Sequence, residues 1–189
     1  MIKYFFSSIA KLFRLPIRFI KYFLLSIINN YSFPKKISKK LNFDLIVVST
    51  GGVATTTLIN YLKLYKNLND ENDSDGYKHL NKFPFIENDD LKIIYVYGDY
   101  EKIYNSLKRR NIFQSQMVKL GCPLCYLLSN KIERFFFKFC INKKINNFKN
   151  KKNVFILNFD NIWENKEEIK EFLQIEDSDF VKNFPPKKR

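Results

Sequence analysis

Cysteine and histidine, the side chains that most often bind transition metals, are scarce in this chain of 189 residues. It has one histidine and three cysteines, which are Cys122, Cys125 and Cys140. Cys122 and Cys125 have the spacing of a zinc knuckle, but no second pair completes the four ligands of a structural zinc site. We therefore predict no metal site and expect buried or free thiols, with zinc as the less favoured alternative. The odd number of cysteines and the lack of a recognisable secretory signal predict a reducing, cytoplasmic location.

Long uncharged segments are lacking from residues 1–40 as well. The longest there, Tyr22–Pro34, is too short for a membrane-spanning helix and is badly placed for the apolar part of a signal peptide. Acidic residues are absent from residues 1–40, the N-terminal arm, which carries nine Lys and Arg. The rest of the chain carries 24 basic and 19 acidic residues, so the net charge of +14 resides mainly in the arm.

The basic residues of the arm follow a helical pattern. Arg14, Arg18 and Lys21 fall on one stripe, with Phe and Ile largely at other positions. We predict a helical, basic amphipathic arm, broken or kinked at Pro16, that brings the protein to an anionic membrane surface through residues 1–32. Packing of the arm against its own domain stays open as the alternative. Nucleic acid is disfavoured as a partner because no recognition motif accompanies the charge.

Residues 41–189 are long enough for one domain with a hydrophobic core, joined to the arm by a solvated linker at 34–40. Three apolar segments, near 44–49, 93–98 and 153–158, predict buried β-strands. Each is followed by a segment with helical spacing. Strands that alternate with helices predict an α/β fold with a parallel sheet, in which ligands bind beyond the carboxyl ends of the strands.

The segment after the first strand has the composition of a phosphate cradle. Gly51 and Gly52 let the backbone fold around an oxyanion, and Thr55–Thr57 begins a helix whose free N–H groups favour negative charge. The segment lacks the Gly-Lys-Ser/Thr ending of a nucleotide-hydrolysing P-loop, which disfavours a kinase. An ordinary turn between strand and helix is the alternative.

Two other features of the sequence could indicate a bound calcium ion or a cofactor, but neither matches a known binding pattern. The acidic residues at 67–76 lack the EF-hand spacing, so we predict a solvated loop in preference to a calcium site. The aromatic run Phe135–Phe139, like Trp163, is predicted to belong to the core or to a groove in preference to a cofactor site.

Four segments, taken in order, resemble the sulfotransferase family, which transfers a sulfuryl group from 3′-phosphoadenylyl sulfate (PAPS) to a hydroxyl or amine. These segments are the loop Ser49–Leu58, the tripeptide Lys78-His79-Leu80, the strand-to-helix segment Lys92–Leu107 and the late strand with its helix, Val154–Ile175. The resemblance implies a P-loop-like, sulfotransferase-like fold, a three-layer parallel sheet flanked by helices. It also implies PAPS as the donor and a small molecule or glycan as the acceptor.

The resemblance implies roles for individual residues. His79 takes the place of the catalytic base, and Ser106 takes the place of the serine that binds the 3′-phosphate. The other donor-binding positions are those of the loop: Thr50, Gly51, Gly52, Val53, Ala54, Thr55, Thr56 and Thr57. Two basic residues of the family pattern fall at Gly52 and Gly98. The candidates to replace their charge are Lys78, Lys108, Arg109 and Arg110.

Two functional hypotheses follow. In the first, the protein is a divergent sulfotransferase in which His79 deprotonates the acceptor; the retained hydroxyls and Ser106 favour it. In the second, it is a non-catalytic protein of the same fold that binds a phosphorylated ligand or a membrane partner. The missing basic residues at positions 52 and 98 favour the second hypothesis, because charge-assisted hydrogen bonds to the donor are lost.

Overall fold

The structure is a computed structural model that describes residues 35–186, except residues 54, 81, 88 and 120–129. The predicted membrane-binding segment 1–32 therefore lies outside the described residues, as do Ala54, Cys122 and Cys125. In the described part of the chain, no helix is both long and apolar enough to cross a bilayer.

The described elements alternate between strands and helices over most of the chain. In chain order they are β1 (Lys36–Ile37), β2 (Leu45–Ser49), α1 (Thr55–Leu62), β3 (Phe85–Ile86), β4 (Lys92–Tyr97), α2 (Tyr100–Arg109), α3 (Phe113–Lys119), α4 (Asn130–Phe148), β5 (Val154–Asn158) and α5 (Lys166–Leu173). Short 3-10 helices lie at Lys39–Leu41 and Phe159–Asn161.

The central sheet is parallel and has the strand order β2–β4–β5. Every residue of β2 is buried, as expected for a continuous apolar run in a parallel sheet covered on both faces. Ser49 at the end of β2 pairs with Val96 of β4, so the carboxyl ends of these two strands lie together. The three predicted strands, their parallel direction and the α/β class are confirmed.

The outer edge of β2 is covered by the start of the acidic loop. The side chain of Asn69, which is fully buried, accepts a hydrogen bond from the backbone N–H of Val47 (2.8 Å) and donates one to its carbonyl (3.1 Å). Leu68 forms a bridge with Leu45 on the same edge. These contacts satisfy backbone groups that an edge strand would otherwise leave unpaired, and they tie the loop to the sheet.

The segment just before β2 is not the solvated linker that the sequence predicts. Lys36 and Ile37 form β1, which pairs in parallel with β3, and Ile37 is 2% exposed. The run of lysines in this segment predicts a solvated stretch, but the single Ile37 fills a hydrophobic cluster with Ile46 and Leu91. Burial of the Ile37 side chain therefore outweighed the tendency of the neighbouring lysines to stay in solvent.

Helices cover both faces of the sheet. On one face, α1 and α5 pack with Val47 and Val96, and Tyr61 of α1 also contacts the C-terminal aromatic residues Phe180 and Phe184. On the other face, Phe148 at the end of α4 stacks on Tyr95 of β4. A third cluster joins α2, α3 and α4 to one another.

The structure corrects two expectations about α4. Cys140 is buried and disulfide-bonded, so it is not a free thiol. The aromatic run was predicted to lie in the core or in a groove, yet only Phe137 is buried. Phe135, Phe136 and Phe139 are exposed, because consecutive residues of a helix cannot all face the same neighbour.

Candidate functional site

The loop between β2 and α1 is shaped by two glycines. Gly51 and Gly52 have φ values of +81° and +77°, in the left-handed region that favours glycine. A Cβ atom on Gly51 would lie 2.9 Å from Oε1 of Gln116, and one on Gly52 would lie 3.0 Å from Cγ2 of Ile103. The backbone therefore folds back toward α2 and α3 in a way that larger residues would prevent.

The hydroxyl of Ser49 is the internal support of this loop. Its Oγ lies 3.4 Å from the backbone nitrogen of Gly51, which donates to it, and 3.5 Å from the hydroxyl of Thr55. Ser49 is fully buried, and Thr55 is 2% exposed. α1 begins at Thr55 with no acidic residue in its first turn, so its N-terminal end keeps its partial positive charge.

A cavity of about 490 Å³ opens beside the loop. Five loop residues line it, namely Gly51, Gly52, Val53, Thr55 and Thr56. His79 and Ser106 line the same cavity, although they follow in sequence well after the loop. The structure thus brings together most of the predicted site residues. Thr50 and Thr57 are not among the lining residues, and Ala54 is outside the described part of the chain.

His79 is fixed against the end of β2. The backbone N–H of Ser49 donates to the carbonyl of Lys78 at 2.7 Å, and Nδ1 of His79 lies 3.1 Å from the carbonyl of Ser49. Because a carbonyl only accepts, Nδ1 carries the proton and Nε2 has the free lone pair. Burial lowers the pKa of His79 to about 4, and the contact with Ser49 opposes this only in part. The imidazole is therefore neutral at pH 7.

Three of the four candidate cations line the cavity. Lys78 is 8% exposed, and its Nζ donates to the hydroxyl of Thr56 at 3.0 Å and to the carbonyl of Glu71 at 2.5 Å. Burial lowers the pKa of Lys78 from its usual value. Arg109 and Arg110 reach the cavity from the end of α2.

The fourth candidate cation, Lys108, serves a different purpose. Its Nζ lies 2.5 Å from Oε1 of Glu133, a carboxylate that is almost completely buried between α2 and α4. The phenolic oxygen of Tyr104 donates to the same Glu133 oxygen at 2.6 Å. Lys108 therefore neutralises a buried charge in the helical cluster and is not one of the cavity-lining residues.

Gln116 on α3 is a lining residue that the sequence did not indicate. It is 8% exposed, and its Oε1 atom, buried beside Gly51, has no hydrogen-bond partner among the described residues. Ile112, just before α3, also lines the cavity. Neither residue belongs to a recognisable motif. Their approach to the loop depends on how the short helix α3 packs, which the sequence does not show.

Charged groups surround His79 behind the cavity. Asp73 accepts hydrogen bonds from the backbone N–H of Lys78 (3.0 Å) and from Nζ of Lys119 (2.9 Å). Lys144 of α4 is 2% exposed, and burial lowers its pKa to about 7. The charges of Lys144 and Lys119 disfavour protonation of His79, whereas that of Asp73 favours it.

The acidic loop organises the site through Asp73 and through Glu71, which forms an ion pair with Lys63. In the described part of the chain, no group of three metal-binding side chains is found. The sequence predicted a solvated loop, but the structure shows that specific contacts hold this loop in place.

The turn after β4 is closed. Asp99 caps α2 by accepting a hydrogen bond from the backbone N–H of Lys102 at 2.9 Å. Gly98, where the family pattern has an arginine, is buried, and a Cβ atom there would lie 3.0 Å from Cγ1 of Val53. A larger residue at this position would need the side chain of Val53 to shift.

Comparison with protein-family models, with curated proteins and with solved structures found no match to this chain.

Proposed function

We propose that this protein is a divergent sulfotransferase that binds PAPS in the β2–α1 cavity and transfers its sulfuryl group to a hydroxyl or amine. One observation carries the proposal. Three segments that are distant in sequence, the glycine loop, Lys78-His79 and Ser106, line one cavity together with Arg109 and Arg110. These are the segments that the family resemblance marks as donor-binding and catalytic.

The cavity suits an anionic donor. Its volume of about 490 Å³ lies within the range of small-molecule sites. The start of α1, without an acidic residue in its first turn, would face the phosphosulfate, and the hydroxyl of Thr56 already interacts with the cation of Lys78. Arg109 and Arg110 would supply charge that the family pattern places at positions 52 and 98.

His79 has the position and tautomer of a general base. With Nδ1 donating to Ser49, Nε2 is the atom that would accept the proton of an acceptor hydroxyl. PAPS supplies the sulfuryl group, and the loop N–H groups and Lys78 would stabilise the negative charge on the transferring oxygens. His79 is one of the residues that line the cavity, which supports this role.

A second candidate function is a non-catalytic protein of the same fold that binds a phosphorylated ligand. Two observations favour it. A side chain at position 52 or 98 would lie 3.0 Å from Ile103 or Val53, so a cation at either position would need its neighbour to shift. In addition, the pKa of about 4 makes His79 a weak base.

Calorimetric titration with PAP, the desulfated donor, and with ATP tests the donor site. We expect PAP to bind more tightly than ATP. We expect Arg109→Ala to weaken PAP binding roughly 10- to 150-fold, the equivalent of one charge-assisted hydrogen bond. Lys102→Ala is the matched control, because it removes a cation from the same helix that pairs with Asp160 and does not line the cavity. Absence of PAP binding at millimolar concentration would contradict the proposal.

Transfer from labelled PAPS to a panel of alcohols, amines and glycans separates the two candidates. For the enzyme, we expect His79→Gln to abolish turnover while PAP affinity changes little, since glutamine can still donate to the carbonyl of Ser49. PAP binding without turnover on any acceptor would favour the non-catalytic protein.

A further inference from the structure

Helix α4 exposes a stripe of large apolar side chains, which we call the aromatic face. It consists of Ile132, Phe135, Phe136 and Phe139, with exposures of 46%, 69%, 40% and 57%. Their spacing of three, four and seven residues places them on one side of the helix, over about 10 Å of its axis. The rings of Phe135 and Phe136 contact each other edge to face.

The opposite side of α4 is anchored in the protein. Phe137, Cys140 and Ile141 are at most 4% exposed and pack with α2 and α3, while Phe148 packs on the sheet. The helix therefore cannot rotate to bury its aromatic face without losing these contacts. Helix α4 is therefore apolar on two sides, and only one of them is covered by the described residues.

The aromatic face is bordered by positive charge. Lys143 follows Phe139 by one turn on the same side, and Lys138 is exposed beside the stripe. Arg134 is exposed there too, but it forms an ion pair with Glu101 of α2 (3.0 Å), so the unpaired charge beside the face comes from the lysines. The sole acidic residue of α4, Glu133, is 5% exposed and bonded to Lys108 and Tyr104. The solvent-exposed side of α4 thus presents aromatic rings and cations, with no carboxylate of its own.

We propose that the aromatic face docks on an anionic lipid surface. Large apolar side chains bordered by lysine and arginine match the boundary between acyl chains and negatively charged headgroups. A second copy of the chain fits less well, because two such faces would bring Lys138 and Lys143 of both copies together. The surface is separate from the β2–α1 cavity, and this proposal does not depend on the proposed enzymatic activity.

Co-sedimentation of the full chain with vesicles tests the contribution of the face. With phosphatidylcholine vesicles that contain phosphatidylserine, we expect Phe135→Ser combined with Phe139→Ser to lower the partition coefficient about tenfold or more. Leu64→Ser is the matched control: Leu64 is 74% exposed but lies away from α4, and its replacement should change partitioning by less than about twofold. Equal loss in both variants, or no loss in either, would overturn the proposal.

A tryptophan reporter tests direct contact. In Phe135→Trp, we expect a blue shift and quenching by doxyl-labelled lipids beyond the background of Trp163, which is measured on the parental chain. Vesicle binding without this extra quenching would assign the binding to another segment and overturn the proposal. A concentration-dependent dimer in lipid-free buffer, abolished by the double Phe-to-Ser variant, would show that the face belongs to a second copy and would also overturn it. Unchanged unfolding transitions confirm that each variant is folded.

Discussion

Two turns of this protein occupy equivalent places in the sheet, yet only one is open to a ligand. The turn after β2 and the turn after β4 both leave the carboxyl end of a parallel strand, lie side by side and begin a helix. After β4, the carboxylate of Asp99 already occupies the N-terminal end of α2. After β2, no acidic residue occupies the first turn of α1, and the two glycines fold the backbone toward a cavity.

The two turns differ in what occupies the start of the helix that follows each strand. A carboxylate cap satisfies the free N–H groups and repels a second anion. Where the cap is missing, charge can come from other segments, here from Lys78 and from Arg109 and Arg110 at the far end of α2. The closed turn thus contributes to the site through the opposite end of its own helix.

Acidification should produce the largest difference between the two turns. His79, which supports the turn after β2, has a pKa lowered from 6.5 to about 4. As the pH falls, the imidazole of His79 takes up a proton in the unfolded chain before it does so in the folded one. The free energy of unfolding is therefore highest above pH 6.5 and falls by roughly 3 kcal/mol as the pH approaches 4. Denaturant unfolding across this range, compared with His79→Gln, checks it, and parallel pH profiles for the two chains would contradict the assignment to His79.

Alanine substitution of the glycines is the next largest test. Gly52→Ala puts a side chain at a φ of +77° and 3.0 Å from Cγ2 of Ile103, so we expect a loss of about 2 kcal/mol. Gly98→Ala meets Val53 at a similar distance, but its φ is not in the left-handed region, and we expect about 1 kcal/mol. Urea unfolding measures both. A greater cost at Gly98 would mean that packing, not backbone conformation, distinguishes the two turns.

Removal of the cap tests the closed turn itself. We expect Asp99→Ala to lower the free energy of unfolding by about 1 kcal/mol, because the N–H of Lys102 loses its acceptor. Asp99→Asn, which keeps an acceptor oxygen, is the control and should change stability by only a few tenths of a kcal/mol. If the asparagine variant loses as much as the alanine variant, the charge of Asp99 and not its hydrogen bond stabilises α2.

The smallest effect is expected at the ion pair beside the closed turn. Lys102 and Asp160 lie 3.0 Å apart, but the lysine side chain is 71% exposed. We expect Lys102→Ala to change stability by no more than about 0.5 kcal/mol, with a difference that shrinks further at high salt. Thermal unfolding at two ionic strengths provides the measurement. A larger effect that persists in salt would indicate a packing role for the aliphatic part of Lys102.

The sequence predicted the elements whose formation depends on near neighbours. The bounds of β2 follow from an apolar run interrupted by Asp44 and Gly51, and the helix predicted after the second strand begins next to Asp99, a cap that acts within three residues. It did not predict β1, where a single buried Ile37 outweighs the surrounding lysines. It also misjudged the run Phe135–Phe139, since a run of aromatic residues does not indicate which side of a helix will be covered.

By itself, then, the sequence determined the positions and the parallel direction of the main strands, the glycine loop and the choice of His79 and Ser106 as residues to be brought near it. Only the tertiary structure decided that Arg109, Arg110 and Lys78 line the cavity while Lys108 neutralises Glu133, and that Gln116 lies against Gly51. The physical reason is the separation in sequence of the residues that interact. Strands, turns and caps are set by interactions within a few residues, whereas the position of a charge relative to a cavity depends on how separate helices pack around a common core.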